Sequence, residues 1–392
     1  MKVTRRSLLP AAAAVAFQTR KPHVAVVGAG AFGGWTALHL LRLGARVTLV
    51  DAWGPGNSRA SSGGETRIIR AVYADRIYVQ MTVRALQLWR DNEARWNQRL
   101  YRRTGFLRMV TKDDSILRKA APLMREAGVA FEELTPAEAR KRYPQINFEG
   151  VSGILLEKEA GFLTARRNCE AVVTAFRQEG GEYREIEARP GPIQAKEMRG
   201  LALGDGSRLA ADRYVFACGP WMGKLFPEVI GARISPHRKE VYFFGVPAGE
   251  ARFSEDRFPA WGDLEQHYYG VPGNERRGFK VGEDAQDVPF DPTSGDRTPS
   301  PGRLEAARAY LGFRFPALRG APLVEARVCQ YENTPDRHLI MDRHPLADNV
   351  WLAGSGSGHG YKMGPAVGER MAELVLGKRS PDAFLSLSRF SK

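Results

Sequence analysis

Cysteine is scarce in this 392-residue chain, which has three, Cys169, Cys218 and Cys329. An odd number cannot close a complete disulfide framework, so at least one thiol stays unpaired. The seven histidines show no His-x-x-x-His pair and the cysteines no Cys-x-x-Cys, which argues against a protein-bound metal. Long apolar runs are also lacking, and none approaches the ~20 residues that a transmembrane helix needs. A basic stripe is missing as well. Lys and Arg outnumber Asp and Glu by 58 to 44, a net charge of +14, yet arginines such as Arg84, Arg90, Arg95 and Arg99 are scattered singly. Without a stripe interleaved with aromatics, nucleic-acid binding is not expected. No internal repeat is visible. What is present is 43% apolar content, enough for buried cores in two or three domains.

The N-terminus reads Thr4-Arg5-Arg6-Ser7-Leu8-Leu9, then alanines from Ala11 to Ala16 broken only by Val15. A paired arginine directly before a short apolar stretch predicts a twin-arginine export signal over residues 1–16, with the twin-arginine machinery as a partner. The expected location is periplasmic or otherwise extracytoplasmic, with no stable membrane insertion. That route carries folded proteins and suits a chain that captures a cofactor before export.

His23-Val-Ala-Val-Val-Gly28 is a continuous apolar run, as in a parallel-sheet strand covered on both faces. A helix is predicted over Ala31 to Leu43, with Leu38 and Leu41 on its inner face and Gly44 ending it, and then a strand over Val47 to Val50. Between strand and helix stands Gly28-Ala29-Gly30-Ala31-Phe32-Gly33. Gly28 allows the tight turn, Gly30 lets the backbone approach a pyrophosphate, and Gly33 lets helix pack on strand. Asp51 closes the second strand, where a carboxylate meets ribose hydroxyls. This βαβ unit predicts dinucleotide binding but does not separate NAD from FAD.

Farther on, Val79, Val83, Leu86 and Trp89 recur at helical spacing, and Thr135-Pro136-x-Glu138 is a capping box. From about residue 237 strands follow, at Val241–Phe244, Tyr268–Val271 and Phe279–Val281, which read as an antiparallel sheet. Residues 283–302 read as a surface connection, and strand material returns at Val350–Ala353.

Two further segments, Ser61-Ser62-Gly63-Gly64-Glu65-Thr66-Arg67-Ile68-Ile69-Arg70 and Gly354-Ser-Gly-Ser-Gly-His-Gly-Tyr-Lys362, complete a pattern. Together the motifs resemble the monomeric sarcosine oxidase and N-methyltryptophan oxidase family of FAD-dependent amino acid oxidases, over essentially the whole chain from residue 23. The resemblance implies an α/β fold: a Rossmann-like, glutathione-reductase-like FAD-binding domain plus a second domain of antiparallel sheet and helices. The first would be discontinuous over 22–100, 163–234 and 325–390, and the second would take 101–162 and 235–324.

The resemblance also implies roles. Cys329, in Ala326-Arg-Val-Cys-Gln-Tyr331, matches the cysteine joined covalently to the flavin 8α-methyl group. Arg70 and Lys362 match the pair that clamps the substrate carboxylate, and Arg67 an arginine close to the flavin ring. Gly358, Gly360 and Lys362 form the turn whose amides face the flavin pyrimidine end. Lys280 matches the lysine that activates O2, and Tyr269 a tyrosine of the substrate pocket. His359 is read as a packing residue. The chain departs from the sarcosine oxidases at Asp284, Ser61 and Ser62, where they carry histidines, and an acid at 284 is expected to pair with a cationic group of a larger substrate.

The expected function is FAD-dependent oxidation of an amino acid's secondary amine, N-methyl or cyclic, to an imine, with O2 reduced to H2O2. A dehydrogenase of the same fold passing electrons to a quinone or other carrier is the nearer alternative. An exported flavoprotein with a binding or assembly role is the more distant one.

Overall fold

The computed structural model describes residues 20–284 and 288–391, and the export-signal reading of residues 1–16 lies outside them. The strand β1 (His23–Val27) is buried along its whole length, as its unbroken apolar sequence requires. It leads into the helix α1 (Ala31–Arg42) and the parallel strand β2 (Arg46–Asp51), with Val24 opposite Val47. Gly44 ends the helix at φ +93°, a left-handed conformation that glycine adopts without strain. The helix is buried nearly all round, and Leu41 stands at its margin rather than on a single inner face. The cause is the helix Gly364–Val375, which covers the outer side of α1 so closely that a Cβ on Gly368 would come within 2.6 Å of Trp35 Cβ.

The sheet around β1 is assembled from distant segments. Arg213–Phe216 pairs with β1 in parallel and Val350–Gly354 pairs with Arg213–Phe216, while Ile340–Arg343 runs antiparallel at one edge and Glu182–Glu185 parallel at the other. The carboxyl ends of β1 and β2 therefore open together onto the glycine turn, where ligands of open α/β sheets bind.

A second, larger sheet holds Ser235–Phe244, Phe279–Glu283, Tyr268–Val271 and Ala260–Asp263 in antiparallel order. It is not antiparallel throughout: Ala260–Asp263 pairs in parallel with Phe106–Val110, which in turn pairs with Gly153–Glu157. Strands joined by a chain excursion rather than a hairpin are free to run in parallel. The long strand Leu323–Asn333 lies beside Ser235–Phe244, with Cys329 opposite Lys239. Trp261, Phe279, Phe315 and Phe258 pack as one aromatic cluster beneath this sheet. There Arg314 and Asp263 form a fully buried ion pair at 2.7 Å, completed by the Tyr310 hydroxyl at 3.0 Å.

The segment expected to be a plain connection does more. Val288–Pro289 adds a short strand against His237–Arg238, and Thr293 accepts a hydrogen bond from Trp221 Nε1 at 2.9 Å. The helix α2 (Arg76–Trp96) buries Tyr78, Val79, Thr82, Ala85 and Trp89, leaving Val83 and Leu86 half-buried at the edge of the expected stripe. The Thr135 capping box forms as predicted. No helix among the described residues is long and apolar enough to cross a membrane.

Candidate active site and cofactor cavity

A cavity of about 560 Å³ opens at the carboxyl ends of β1 and β2. Its floor is the glycine turn, and the backbone there leaves no room for side chains. Gly28 sits at φ +102° and a Cβ on it would lie 2.4 Å from Ala217 O, while one on Gly33 would lie 1.8 Å from Gly28 O. Gly30 and Phe32 line the cavity beside the helix N-terminus, whose partial positive charge favours a pyrophosphate. Asp51 also lines it, held by the N–H groups of Ala29 (2.7 Å) and Trp53 (2.9 Å), and burial pushes its carboxyl above the usual range.

Ser61 and Ser62 replace the expected histidines in two different ways. Ser62 Oγ accepts the Ala31 N–H at 3.0 Å, sitting over the start of α1. Ser61 Oγ is buried with no hydrogen-bond partner, as is Glu332 Oε2, and both residues face this cavity. Glu332 had no signal in the sequence. Burial raises its carboxyl to about 7, and its other oxygen accepts the Gly356 N–H at 3.0 Å. Orphaned polar atoms around a glycine cradle fit a large polar dinucleotide.

A second cavity of about 280 Å³ adjoins the first, and Arg67, Tyr331 and Gly358 line both. The residues that the sequence proposed for chemistry gather here: Arg67, Arg70, Tyr269, Lys280, Cys329, Gly358 and Lys362 all line it. They come from the short strand β3 (Arg67–Ile69) and its end, two strands of the large sheet, Leu323–Asn333, and the glycine-rich turn after Val350–Gly354.

Arg70 lies with its guanidinium carbon 4.5 Å from the centroid of the Tyr73 ring and donates to Val72 O at 2.7 Å. Lys362 donates to the same tyrosine hydroxyl (2.7 Å) and to His359 O (2.5 Å). His359 Nε2 lies 3.0 Å from Arg337 O, which can only accept, so Nε2 carries the proton and Nδ1 accepts from Tyr73 OH at 3.2 Å. Burial holds this histidine neutral, down to about 3, consistent with a packing role. Tyr73 thus orients Lys362, a role with no sequence signal. Gly360 supplies closeness rather than a donor: its N–H turns inward to Gly356 O (2.7 Å), and a Cβ on it would meet Phe32 Cζ at 2.7 Å.

Lys280 is buried, with its ammonium on Thr66 O (3.0 Å) and Thr66 Oγ1 (3.3 Å). Burial, and then the Arg67 charge, lower it to about 7. Arg67 donates to Ser61 O and Gly63 O, both at 2.6 Å, and lies 3.8 Å from Cys329 Sγ. Tyr269 and Tyr331 share a hydroxyl contact at 3.2 Å, and burial raises Tyr269 to about 12.

Asp284 lines the cavity but does not await a cationic ligand. Its Oδ1 lies 3.7 Å from the ammonium of Lys239, a lysine at 1% exposure, so the chain supplies the counter-charge itself. Two further charges went unread in the sequence. Glu157 lies close enough to feel the Arg70 and Lys362 charges, with both oxygens on the Ala71 N–H (2.8 and 2.9 Å) and its carboxyl raised to about 7 by burial. Arg108 enters from Phe106–Val110, and burial, then the neighbouring Arg70, lower it to about 9. Burial, then the Arg70 and Arg108 charges, push Lys362 down as well, so these three groups repel one another and together favour an anionic ligand.

A model of the family described as DAO, FAD dependent oxidoreductase, matches residues 23–374. Peroxisomal sarcosine oxidase of Mus musculus is 30% identical over 382 residues, covering 93% of this chain and 95% of its own. N-methyl-L-tryptophan oxidase of Salmonella arizonae is 27% identical over 386 residues, covering 94% and 98%. Among solved structures, L-proline dehydrogenase from P. horikoshii shares the fold at a TM-score of 0.83 and 21% identity, over 95% of this chain and 98% of that one.

Proposed function

The chain belongs to the FAD-dependent oxidoreductase family, among the relatives of the sarcosine oxidases, and from that premise we propose that it oxidises a carboxylate-bearing secondary amine, N-methyl or cyclic, to an imine. The observation that carries this reading is the convergence of Arg70 and Lys362, from opposite ends of the chain, on one cavity that also holds Lys280. FAD, when bound, supplies the redox chemistry, taking a hydride from the carbon beside the nitrogen and passing the electron pair to an acceptor, for which O2 gives H2O2.

The protein's own part is positioning and charge. The Arg70 guanidinium donates two parallel N–H bonds to the substrate carboxylate and the Lys362 ammonium adds a third, which fixes where the reacting C–H points. An amine that binds unprotonated gives its remaining N–H proton to water, so neutral His359 is not needed as a base. Lys280 keeps a cation at Nζ where negative charge develops during O2 reduction. In air, a secondary amino acid should yield its imine hydrolysis products and one H2O2 per turnover. Consumption without peroxide would move the electrons to a carrier other than O2, and no consumption of any secondary amino acid would contradict the reading.

The proposal extends to attachment and location. Cys329 is the residue that would hold the flavin covalently, through a thioether to its methyl carbon that replaces one S–H and one C–H bond, with the two electrons and two protons passing to the same acceptor that serves turnover. The residue lines the cavity that adjoins the cofactor cradle, with its Sγ 3.8 Å from Arg67 Nη2. Acid-denatured protein should keep its flavin fluorescence on a denaturing gel, and Cys329→Ser should lose it; a wild-type band without flavin would end this assignment. Residues 1–16 direct export, so replacing Arg5 and Arg6 together by lysine should hold the protein in the cytoplasmic fraction. Unchanged fractionation would remove the signal.

A further inference from the structure

Arg108 is a cation that a single substrate carboxylate does not require. It is the middle residue of Phe106-Leu-Arg-Met-Val110, apolar on either side, and its guanidinium lies 5.1 Å from the Phe106 ring centroid at the wall of the substrate cavity. Gly262, on the neighbouring strand, makes the space: a Cβ there would stand 2.9 Å from Arg108 Nη1. Four other cations of this cavity are tied to the protein by hydrogen bonds, and Arg327, whose Nη1 also lacks one, is paired with Glu65 at 3.7 Å. Arg70 donates to Val72 O, Lys280 to Thr66, Lys362 to Tyr73 and His359 O, and Arg67 to three carbonyls. Arg108 Nε is buried without a hydrogen-bond partner. Among the described residues no carboxylate pairs with it either. The acids lining the cavity have other partners: Asp263 has Arg314 (2.7 Å), Glu65 has Arg277 (3.2 Å), and Asp284 has Lys239 (3.7 Å).

A half-buried guanidinium whose Nε is buried without a partner, beside a second guanidinium, favours an anion that can receive its donors. We propose that Arg108 binds a second carboxylate of the substrate, so that the preferred substrates are secondary amino acids carrying two carboxylates, such as N-alkylated or cyclic amino dicarboxylic acids. This rests on the amine-oxidation reading. Arg70 and Lys362 hold the carboxylate next to the reacting carbon, and the planar fork of Arg108 takes the distal one in a bidentate fashion.

The test compares N-methylaspartate and N-methylglutamate with N-methylalanine as reductants of the holoenzyme flavin without oxygen, and glutarate with butyrate as non-reacting ligands read from the flavin absorption spectrum. The wild-type protein should prefer the better diacid by about 10²-fold in kcat/KM and bind glutarate more tightly than butyrate. In Arg108→Gln both preferences should collapse towards unity, and Arg108→Lys should restore part of them. Equal loss on mono- and diacids, or a wild-type preference for the monoacid, would overturn the assignment. If no secondary amino acid reduces the flavin, the oxidation reading fails, while the glutarate-to-butyrate ratio still decides the role of Arg108.

Discussion

Replacing Arg70 by glutamine should lower kcat/KM for a secondary amino acid by about 10²–10³-fold, with the flavin still bound. Truncating one partner of a buried, hydrogen-bonded charge pair costs roughly 2–5 kcal/mol, and every 1.4 kcal/mol is about tenfold. Arg70 meets the conditions for a large value. It is partly buried, stacked on Tyr73 and tied through one nitrogen to Val72 O, so its remaining donors are held in place before the substrate arrives. Lysine at position 70 should recover little, because an ammonium lacks the fork. A change below tenfold, in protein whose flavin content matches wild type, would remove the carboxylate clamp from the account.

Lys280→Met should divide the two half-reactions. Reduction of the flavin by substrate should change only a few-fold, whereas its reoxidation by O2 should slow by about 10²–10³-fold, the effect of removing one preorganised charge. A pH dependence follows from the same residue. Burial lowers Lys280 to about 7, so the ammonium is present below that pH and lost above it. Reoxidation should therefore fall as pH rises through this range, and the methionine variant should be flat there. Equal slowing of both half-reactions in stopped flow would contradict the role.

The βαβ unit was legible because three local signals coincide at residues 23–51: an apolar run, a glycine fingerprint and a terminal acid. Arg67, Arg70, Tyr269, Lys280, Cys329 and Lys362 were legible only through motif resemblance. Spacing alone would have placed Lys280 on the solvent face of an alternating strand, but Phe279 to Gly282 is buried on both faces because the large sheet is covered on each side. Arg108 was invisible for the same reason, since an arginine between Leu107 and Met109 reads as a solvated side chain. Glu157 ends an apolar stretch, Glu332 follows a mixed one, neither carries a motif, and Tyr73 matters only through Lys362 and His359. The Asp284 pairing was misread because Lys239 reaches it across the pairing of Ser235–Phe244 with Phe279–Glu283, a register that no local pattern encodes. The parallel junction of Phe106–Val110 with Ala260–Asp263 has no local signal either.

The most direct test of the central claim is anaerobic titration of the purified flavoprotein with matched pairs of secondary amines, each amino acid beside its decarboxylated analogue. The flavin absorption should bleach with amino acids and not with amines that lack the carboxylate. Bleaching by both members of each pair, or by neither, would contradict it.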